Sequence, residues 1–200
     1  INISEIFAQV LGNRGIYSKK AADLYIKPRI ALMHDTMFMK DIEKAIKIII
    51  QAKDENKKVF IYGDYDVDGV TSTVILYKAL KQFGCNVDYY IPNRKYEGYG
   101  LNKNCISAMK ERGCNIVFTC DNGIASVDEA IYIKELGMEF IILDHHEPAF
   151  SENGEEDIIP CADAVIDCKQ KKCGYPFKML CAGAMAYKFI KALFEYAGCQ

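Results

Sequence analysis

The sequence predicts an α/β fold in which helices cover both faces of a parallel β-sheet, preceded by an N-terminal helical segment. From residue 59 onward, short apolar runs typical of buried strands alternate with longer stretches of helical periodicity. This alternation is the pattern of βαβ units. The chain has 200 residues, of which 50% are hydrophobic and 26% are charged. Such a balance is typical of a globular chain and excludes the collagen-like and broadly disordered classes.

Residues 1–58 are predicted to be a helical segment that packs on the core. Between residues 40 and 56, apolar side chains recur at helical spacing and therefore lie on one face. They are Ile42, Ala45, Ile46, Ile49 and Ile50. Asp41 stands where it can help this helix to begin. We expect a second domain, residues 59–200, to contain the sheet.

The second domain is predicted to contain five strands and four helices. The strands are expected at residues 59–62, 87–91, 116–119, 140–143 and 164–166. The helices are expected at residues 70–83, 102–112, 126–136 and 180–196. Residues 149–157 are rich in Glu and include a glycine, which predicts an exposed loop. Ligands of such sheets bind at the carboxyl ends of the strands, so the residues that follow each strand are the candidate site.

The overall charge and the cysteines limit the class of protein. The formal net charge is −2, so binding of nucleic acid would need a local basic patch. The nine cysteines include no C-x-x-C pair, and we expect the reduced thiols of a cytoplasmic protein. No apolar run approaches the ~20 residues of a membrane span, and the first residues lack the layout of a signal peptide. We therefore expect no association with a membrane.

Three carboxylates follow the first predicted strand, in residues 63–69 (Gly-Asp-Tyr-Asp-Val-Asp-Gly). Carboxylates at alternate positions repel one another unless a cation lies between them, and hard divalent cations prefer oxygen ligands. A calcium loop of the EF-hand type is excluded, because Ile75 stands where its final Glu would be. A solvated acidic turn that caps the next helix would explain one of the three carboxylates. It explains all three poorly.

Two further polar motifs follow the third and fourth predicted strands. Residues 121–123 (Asp-Asn-Gly) would by themselves be typical of a turn. Residues 144–146 (Asp-His-His) place two of the three histidines beside a carboxylate at a strand end. Carboxylates combined with imidazoles suit Mn²⁺ better than Mg²⁺ alone, and a pair of such ions is the arrangement that hydrolyses phosphate esters. We therefore expect two ions, Mn²⁺ or Mg²⁺, at one edge of the sheet.

These motifs resemble those of the DHH phosphoesterase superfamily, which is named for its Asp-His-His sequence. The resemblance covers essentially the whole chain and extends to residues 14–16, 39–41, 71–72, 91–94, 98–101, 121–124 and 182–184. The small-molecule branches usually carry a His before a Pro-Asp-x-Asp run, where this chain has Tyr-Gly-Asp-Tyr at residues 62–65. The first motif is therefore similar to that of the exonuclease branch. The resemblance implies a metal-dependent 5′-to-3′ exonuclease specific for single-stranded DNA, acting in DNA repair and recombination.

The resemblance also implies a role for each residue of the motifs. The metal ligands are expected to be Asp64, Asp66, Asp68, Asp121 and His145. Asp64 and Asp144 are each expected to be a ligand or a residue that orients one.

The catalytic residues implied by the resemblance are His146, Asp144 and Arg94. His146 is expected to touch the scissile phosphate, where a histidine can donate a hydrogen bond or manage a proton. Arg94 follows a strand and carries the planar guanidinium that suits phosphate, although a surface salt bridge is its alternative. Asn122 and Gly123 could offer polar and backbone groups to a phosphate.

The chain departs from the superfamily pattern in two places. A fourth motif with another Asp ligand is expected beyond the last predicted helix, and the chain ends at Gln200 before reaching it. We therefore expect the N-terminal part of a catalytic core, one ligand short, which can be inactive in isolation. Residues 166–169 (Ile-Asp-Cys-Lys) stand where the exonuclease branch tends to have Ile-Asn-Pro-Asn, and we expect a local change in a loop.

Single-stranded DNA is the expected partner, and a helicase or a single-strand-binding protein is a further candidate. Two surfaces could contact the strand by neutralising phosphates and stacking on bases. One combines Lys169, Lys171, Lys172 and Lys178 with Tyr175 and Phe177, and the other combines Arg94, Tyr96 and Tyr99. For the first surface, a solvated loop with ordinary core aromatics is slightly favoured. Two other functions stay open: a DHH phosphodiesterase acting on short oligonucleotides or cyclic dinucleotides, and a non-catalytic scaffold.

Overall fold

The computed structural model describes residues 3–199, and the chain divides into two compact units, Ile1–Asp35 and Thr36–Gln200. The first unit contains helices α1 (Glu5–Gly12) and α2 (Lys19–Ile26) and a 3₁₀ turn at Ile30–Leu32. Each of the two helices begins at a serine whose hydroxyl accepts a backbone N–H of the first turn. These serine caps satisfy N–H groups that have no partner inside the helix.

The second unit is a five-stranded parallel sheet with helices on both faces, so the predicted fold class is confirmed. Its elements are a 3₁₀ turn (Thr36–Phe38), α3 (Ile42–Asp54), β1 (Lys58–Tyr62), α4 (Val67–Phe83), β2 (Asn86–Tyr90), α5 (Lys103–Glu111), β3 (Ile116–Cys120), α6 (Val127–Glu135), β4 (Glu139–Leu143), β5 (Ala149–Phe150), β6 (Asp157–Ile158), β7 (Ala164–Ile166) and α7 (Ala182–Tyr196). The five predicted strands, which are β1, β2, β3, β4 and β7, begin and end within one residue of their predicted positions.

The strand order of the main sheet is β2-β1-β3-β4-β7, and all neighbouring strands run parallel. The chain leaves β1 to form β2 on one side, and then returns across β1 to form β3 on the other side. The loops that follow β1 and β3 therefore diverge, which opens a crevice at the carboxyl edge of the sheet. In open α/β sheets this switch point is the usual position of a ligand.

The sheet separates two buried cores. One face packs against α3, α4 and α7, and the other face packs against α5 and α6. Side chains alternate between the two faces along each strand, as the pleat requires. In β1, Val59 and Ile61 face the first core, whereas Phe60 and Tyr62 face the second. Because both faces are covered, the inner strands β1, β3 and β4 are almost continuously apolar, as their sequences display. The edge strand β2 is only partly buried and contains Asn86 and Asp88.

Helix α3 belongs to the same unit as the sheet, since Ile42, Ile46 and Ile49 are buried in the first core. The structure therefore divides the chain after residue 35, whereas the sequence analysis divided it after residue 58. Asp41 makes no side-chain cap at the start of α3, so the helix-capping role predicted for it is wrong. Its carboxylate instead accepts the N–H of Val165 at 3.2 Å, which ties the start of α3 to β7.

The segment at residues 149–157 differs from the predicted loop. Its ends form a short antiparallel hairpin, in which Ala149 pairs with Ile158 and Phe150 pairs with Asp157. The polar residues 151–156 form only the turn of this hairpin, with Gly154 at a positive φ of 70°. Two-residue strands are too short to give a period-2 pattern, so the sequence offered no sign of them.

The nine cysteines are all free, as predicted for reduced thiols. Six are buried and three are exposed. Within residues 3–199, no helix combines the length and the apolar composition that crossing a membrane requires.

Helix α4 begins at Val67, three residues before the predicted start, and so it begins inside the acidic motif. This early start depends on a close approach between Gly69, in the first turn of the helix, and Asp64, just after β1. A Cβ atom at residue 69 would lie 2.6 Å from both Cβ and the carbonyl oxygen of Asp64. Only glycine therefore allows the strand end and the helix start to lie this close together.

Replacing Gly69 by alanine is expected to destabilise the chain by about 1–3 kcal/mol, because the added methyl group overlaps backbone atoms that cannot move aside. Urea unfolding followed by circular dichroism measures the change. Gly174→Ala is the matched control, since a Cβ there would meet its nearest atom at 3.7 Å, an ordinary contact distance. Equal unfolding midpoints for the two variants would contradict the close approach.

Candidate metal centre

The residues that follow β1, β3, β4 and β7 meet at the carboxyl edge of the sheet, which we call the rim. Backbone pairing continues one residue beyond the strands there. The N–H of Asp121 donates to the carbonyl of Leu143 at 3.1 Å, and the N–H of Asp144 donates to the carbonyl of Ile166 at 3.0 Å. These bonds place the first carboxylate after each strand beside its neighbours along the rim.

The three carboxylates after β1 have different partners. Asp64 is buried, and its Oδ1 has no hydrogen-bond partner within residues 3–199. Asp66 is the N-cap of α4, with its Oδ1 accepting the N–H of Gly69 at 2.9 Å. Asp68 accepts the N–H groups of Ala182 and Gly183, both at 2.8 Å, and so joins the first turn of α4 to the start of α7.

Asp121 lies directly after β3 and is 3% exposed. Its φ is 65°, a left-handed conformation that costs free energy for a residue with a side chain but is tolerated best by Asp and Asn. Asp121 Oδ1 lies 2.9 Å from His145 Nε2, and Asp68 Oδ2 lies 3.6 Å from the same nitrogen. The motifs after β1, β3 and β4 therefore come together at His145.

Asp144 is buried, and its oxygens are occupied by hydrogen bonds. Oδ2 accepts the N–H of Ile124 at 3.0 Å, and Oδ1 accepts the N–H of His145 at 2.7 Å. Oδ1 also lies 2.7 Å from Nδ1 of His146. Asp144 therefore orients His146 through Nδ1 and leaves the Nε2 atom of that ring available.

Two groups of side chains at the rim could each hold a metal ion. One consists of Asp121, His145 and His146, and the other of Asp64, Asp66 and Asp121. Within each group, the candidate ligand atoms all lie within 4.8 Å of one another. Asp121 belongs to both groups, so the two candidate positions are adjacent. Oxygen and imidazole donors, together with the unpartnered buried oxygen of Asp64, fit a pair of divalent cations.

The pKa directions at the rim reflect crowded negative charge. Burial raises the pKa of Asp64 and of Asp121, because desolvation disfavours the charged form. The hydrogen bond that His145 makes to Asp121 raises the pKa of His145, and the hydrogen bond that His146 makes to Asp144 raises the pKa of His146. A cation bound among these groups would favour the ionised carboxylates and relieve their mutual repulsion.

Arg94 lies outside the carboxylate cluster, on the exposed loop that follows β2. Its guanidinium lies 5.3 Å from the centre of the ring of Tyr65, which stands within the acidic motif. Tyr99 of the same loop donates its hydroxyl to the carbonyl of Asp121 at 3.4 Å, and its ring meets that of His146 edge-on at 6.1 Å. The loop therefore reaches all three motifs, at Tyr65, Asp121 and His146.

The first candidate surface for DNA, which combines Lys169, Lys171, Lys172 and Lys178 with Tyr175 and Phe177, is largely occupied by contacts within the protein. Tyr175 is buried, so it is an ordinary core aromatic and cannot stack on a base. Lys171 donates to the carbonyls of Gly154 and Glu155, and Lys178 donates to a nearby backbone carbonyl. The interpretation of this segment as a solvated loop with core aromatics is therefore the better one.

One polar residue at the rim, Asp167, was not predicted from the sequence as part of the site. Asp167, directly after β7, is fully buried, and its Oδ2 has no hydrogen-bond partner among the described residues. Its Oδ1 accepts the N–H of Lys169 at 2.7 Å. Asn122, which was expected from the sequence to offer a polar group to a phosphate, is also buried, and its side-chain oxygen has no hydrogen-bond partner within residues 3–199. The signal for Asp167 was its position after the fifth apolar run, the same position that Asp121 and Asp144 have in their strands.

Burial raises the pKa of Asp167 to about 7. The folded chain then binds a proton at this carboxyl that the unfolded chain has already released, so the stability falls as the pH rises from about 4 to about 7. Asp167→Asn keeps the acceptor for the Lys169 N–H and removes the titration. The variant is expected to gain about 2–4 kcal/mol of stability relative to the wild type between pH 5 and pH 8.

Chemical unfolding at several pH values in a metal-free buffer with a chelator measures this difference. The control variant is Asp128→Asn, which makes the same substitution at an exposed position of the second unit, and the gain is expected for Asp167→Asn only. A constant difference between the wild type and Asp167→Asn would contradict the raised pKa.

Comparisons with known proteins identify the family and the fold of this chain. Residues 58–199 match the DHH family, N-terminal domain. A single-stranded-DNA-specific exonuclease RecJ from Bacillus subtilis is 41% identical over 96% of this chain and 24% of the relative. The protein of the same name from Escherichia coli is 31% identical over 94% of this chain and 31% of the relative.

Two solved structures share the fold. An exonuclease RecJ bound to manganese has a TM-score of 0.72 and 28% identity, over 81% of this chain and 39% of the other. RecJ of Thermus thermophilus in complex with Mn²⁺ has a TM-score of 0.71 and 26% identity, over 95% of this chain and 25% of the other. The chain thus spans well under half the length of each of these relatives. Because the family model matches residues 58–199, which is well over half of the chain, this chain belongs to the DHH family.

Proposed function

We propose that the chain contributes the metal-binding half of a divalent-metal-dependent exonuclease that degrades single-stranded DNA from its 5′ end. The observation that carries the proposal is the pair of overlapping carboxylate and imidazole groups at the switch point of the sheet, which share Asp121. Relatives named as single-stranded-DNA-specific exonucleases support the choice of substrate. The 5′-to-3′ polarity rests on the resemblance of the motifs to the exonuclease branch.

The residues that would hold two ions, Mn²⁺ or Mg²⁺, are the rim carboxylates and His145. Asp64, Asp66 and Asp121 would hold one ion, while Asp121 and His145 would hold the other. Asp68, near His145, would complete the set at the second position. When bound, such ions lower the pKa of water and stabilise the negative charge of the phosphoryl oxygens.

His146 is the residue of this chain that would contact the scissile phosphate. Oδ1 of Asp144 accepts a hydrogen bond from Nδ1 of His146 and raises the pKa of His146. The raised pKa favours the imidazolium form. The imidazolium can donate its Nε2–H to a phosphoryl oxygen, a hydrogen bond that strengthens as negative charge develops there. Asp144 itself acts by orienting His146, because its Oδ1 accepts the N–H of His145 and also lies 2.7 Å from Nδ1 of His146.

Arg94 would neutralise a phosphate of the strand beside the metal centre. Its guanidinium makes no hydrogen bond or ion pair within residues 3–199, although three carboxylates lie in the adjacent motif. A guanidinium held by ring stacking alone keeps its donors free for an anion.

The proposed substrate suggests partners and a location. A helicase would supply single strands, and a single-strand-binding protein would cover them, so either could deliver the substrate. We place the protein in the cytoplasm, because it would act on DNA and because its nine thiols are free, six of them as buried apolar residues.

Replacing Asp121 by asparagine is expected to lower the affinity for Mn²⁺ by more than about 100-fold, because this residue belongs to both candidate groups. Isothermal titration calorimetry measures the affinity and the number of ions bound. Asp128→Asn removes the same charge from an exposed position and should bind Mn²⁺ like the wild type. Equal affinities for both variants would remove Asp121 from the metal centre.

Digestion of oligonucleotides with Mn²⁺, single- or double-stranded and blocked at either end, tests the activity itself. Loss of nucleotides only from the free 5′ end of the single strand is expected. His146→Ala is expected to lower the rate by about 10²–10⁴-fold while it retains Mn²⁺. If His146→Ala loses Mn²⁺ instead, the residue is a metal ligand rather than a phosphate contact.

Cleavage restricted to dinucleotides or cyclic dinucleotides would favour the small-substrate branch of the family. Absence of both cleavage and Mn²⁺ binding would favour a scaffold. Mn²⁺ binding without cleavage would place the remaining requirement for activity outside these 200 residues.

A further inference from the structure

The loop between β2 and α5, residues 91–102, lies between the candidate metal centre and the surface that a strand of DNA would approach. Tyr99 and Arg94 of this loop contact the third strand end and the acidic motif, respectively. Half of the residues of the loop are exposed, and Gly98 and Gly100 both have positive φ angles. Few apolar contacts hold such a segment, so polar contacts must fix its position.

The carboxylate of Glu97 supplies these contacts. Its Oε1 accepts the hydroxyl of Tyr90, the last residue of β2, and also the thiol of Cys105 in α5, at 3.1 Å. Its Oε2 accepts the N–H of Asn93 at 2.6 Å. One carboxylate therefore joins the end of a strand, the start of the loop and the helix that follows the loop.

Glu97 is suited to this position because an ionised carboxylate has acceptors only, and three donors converge on it. The N–H of Asn93, followed by the Tyr90 hydroxyl and the Cys105 thiol, lowers the pKa of Glu97. A glutamine could accept at one oxygen only and would turn its NH₂ group towards a donor. The isosteric change therefore breaks the arrangement without removing volume.

We propose that Glu97 is a positioning residue that fixes Arg94 and Tyr99 over the rim, so that the Arg94 guanidinium meets a phosphate of the DNA strand next to the metal centre. The proposal rests on the proposed function for its substrate. Glu97 contacts neither the carboxylates of the rim nor the proposed DNA strand. It acts through Arg94.

Glu97→Gln is expected to increase hydrogen–deuterium exchange across residues 91–101 and to weaken binding of a phosphorothioate oligothymidylate by about tenfold, while the affinity for Mn²⁺ stays unchanged. Fluorescence anisotropy measures binding, and the phosphorothioate linkages prevent cleavage. The control variant is Glu111→Gln, which removes the same charge from an exposed position of α5. It should leave all three measurements unchanged.

A double-mutant cycle with Arg94→Ala tests whether Glu97 acts through Arg94. On the Arg94→Ala background, adding Glu97→Gln is expected to change binding by less than about twofold. An additive tenfold loss would overturn the proposal, and so would unchanged exchange at residues 91–101 or weaker Mn²⁺ binding in Glu97→Gln. A wild-type chain that binds Mn²⁺ but no oligothymidylate would contradict the proposed function, whereas the exchange measurement would still decide whether Glu97 anchors the loop.

Discussion

Concentration of negative charge at one edge of the sheet is the constraint on which the rest of this structure depends. Four parallel strands end at the rim, and a carboxylate follows each of them closely. Like charges at this spacing repel one another, and burial increases the cost of ionising them. The chain offsets this cost by directing backbone N–H groups at the carboxylates, including those of Gly69, Ile124 and Ala182. A divalent cation would offset the remainder.

The rim carboxylates differ in how many of their oxygens are already occupied. Asp144 and Asp68 accept backbone N–H groups on both oxygens, so they hold the rim together, and each oxygen of Asp68 keeps a second lone pair that a cation could share. The carboxylate of Asp68 also lies at the N-terminus of α7, where the positive end of the helix dipole stabilises its negative charge. Asp64 keeps a buried oxygen without a hydrogen-bond partner among the described residues, and Asp121 faces His145. This division explains how one cluster can be both a structural junction and a metal centre.

The rim and the β2–α5 loop are stabilised in different ways. Two apolar cores clamp the strands that carry the rim, so the positions of the carboxylates are set by packing that tolerates little movement. The loop is exposed and depends on a few polar contacts centred on Glu97. Rigid placement suits groups that would hold cations. A loop beside which a flexible single strand of DNA would pass can be held by fewer contacts.

The sequence by itself determined the strands, the helices and the position of each carboxylate at a strand end, because apolar periodicity and the covering of both sheet faces are local properties. It did not determine the hairpin at residues 149–158, the role of Asp41 or the importance of Asp167. The free oxygens of the rim were decided only by tertiary structure. The N–H groups that donate to Asp68 belong to residues 114 and 115 positions further along the chain, so no local sequence pattern could predict these hydrogen bonds. The sequence thus placed the charges at one edge, and the fold decided which of them remain available to bind.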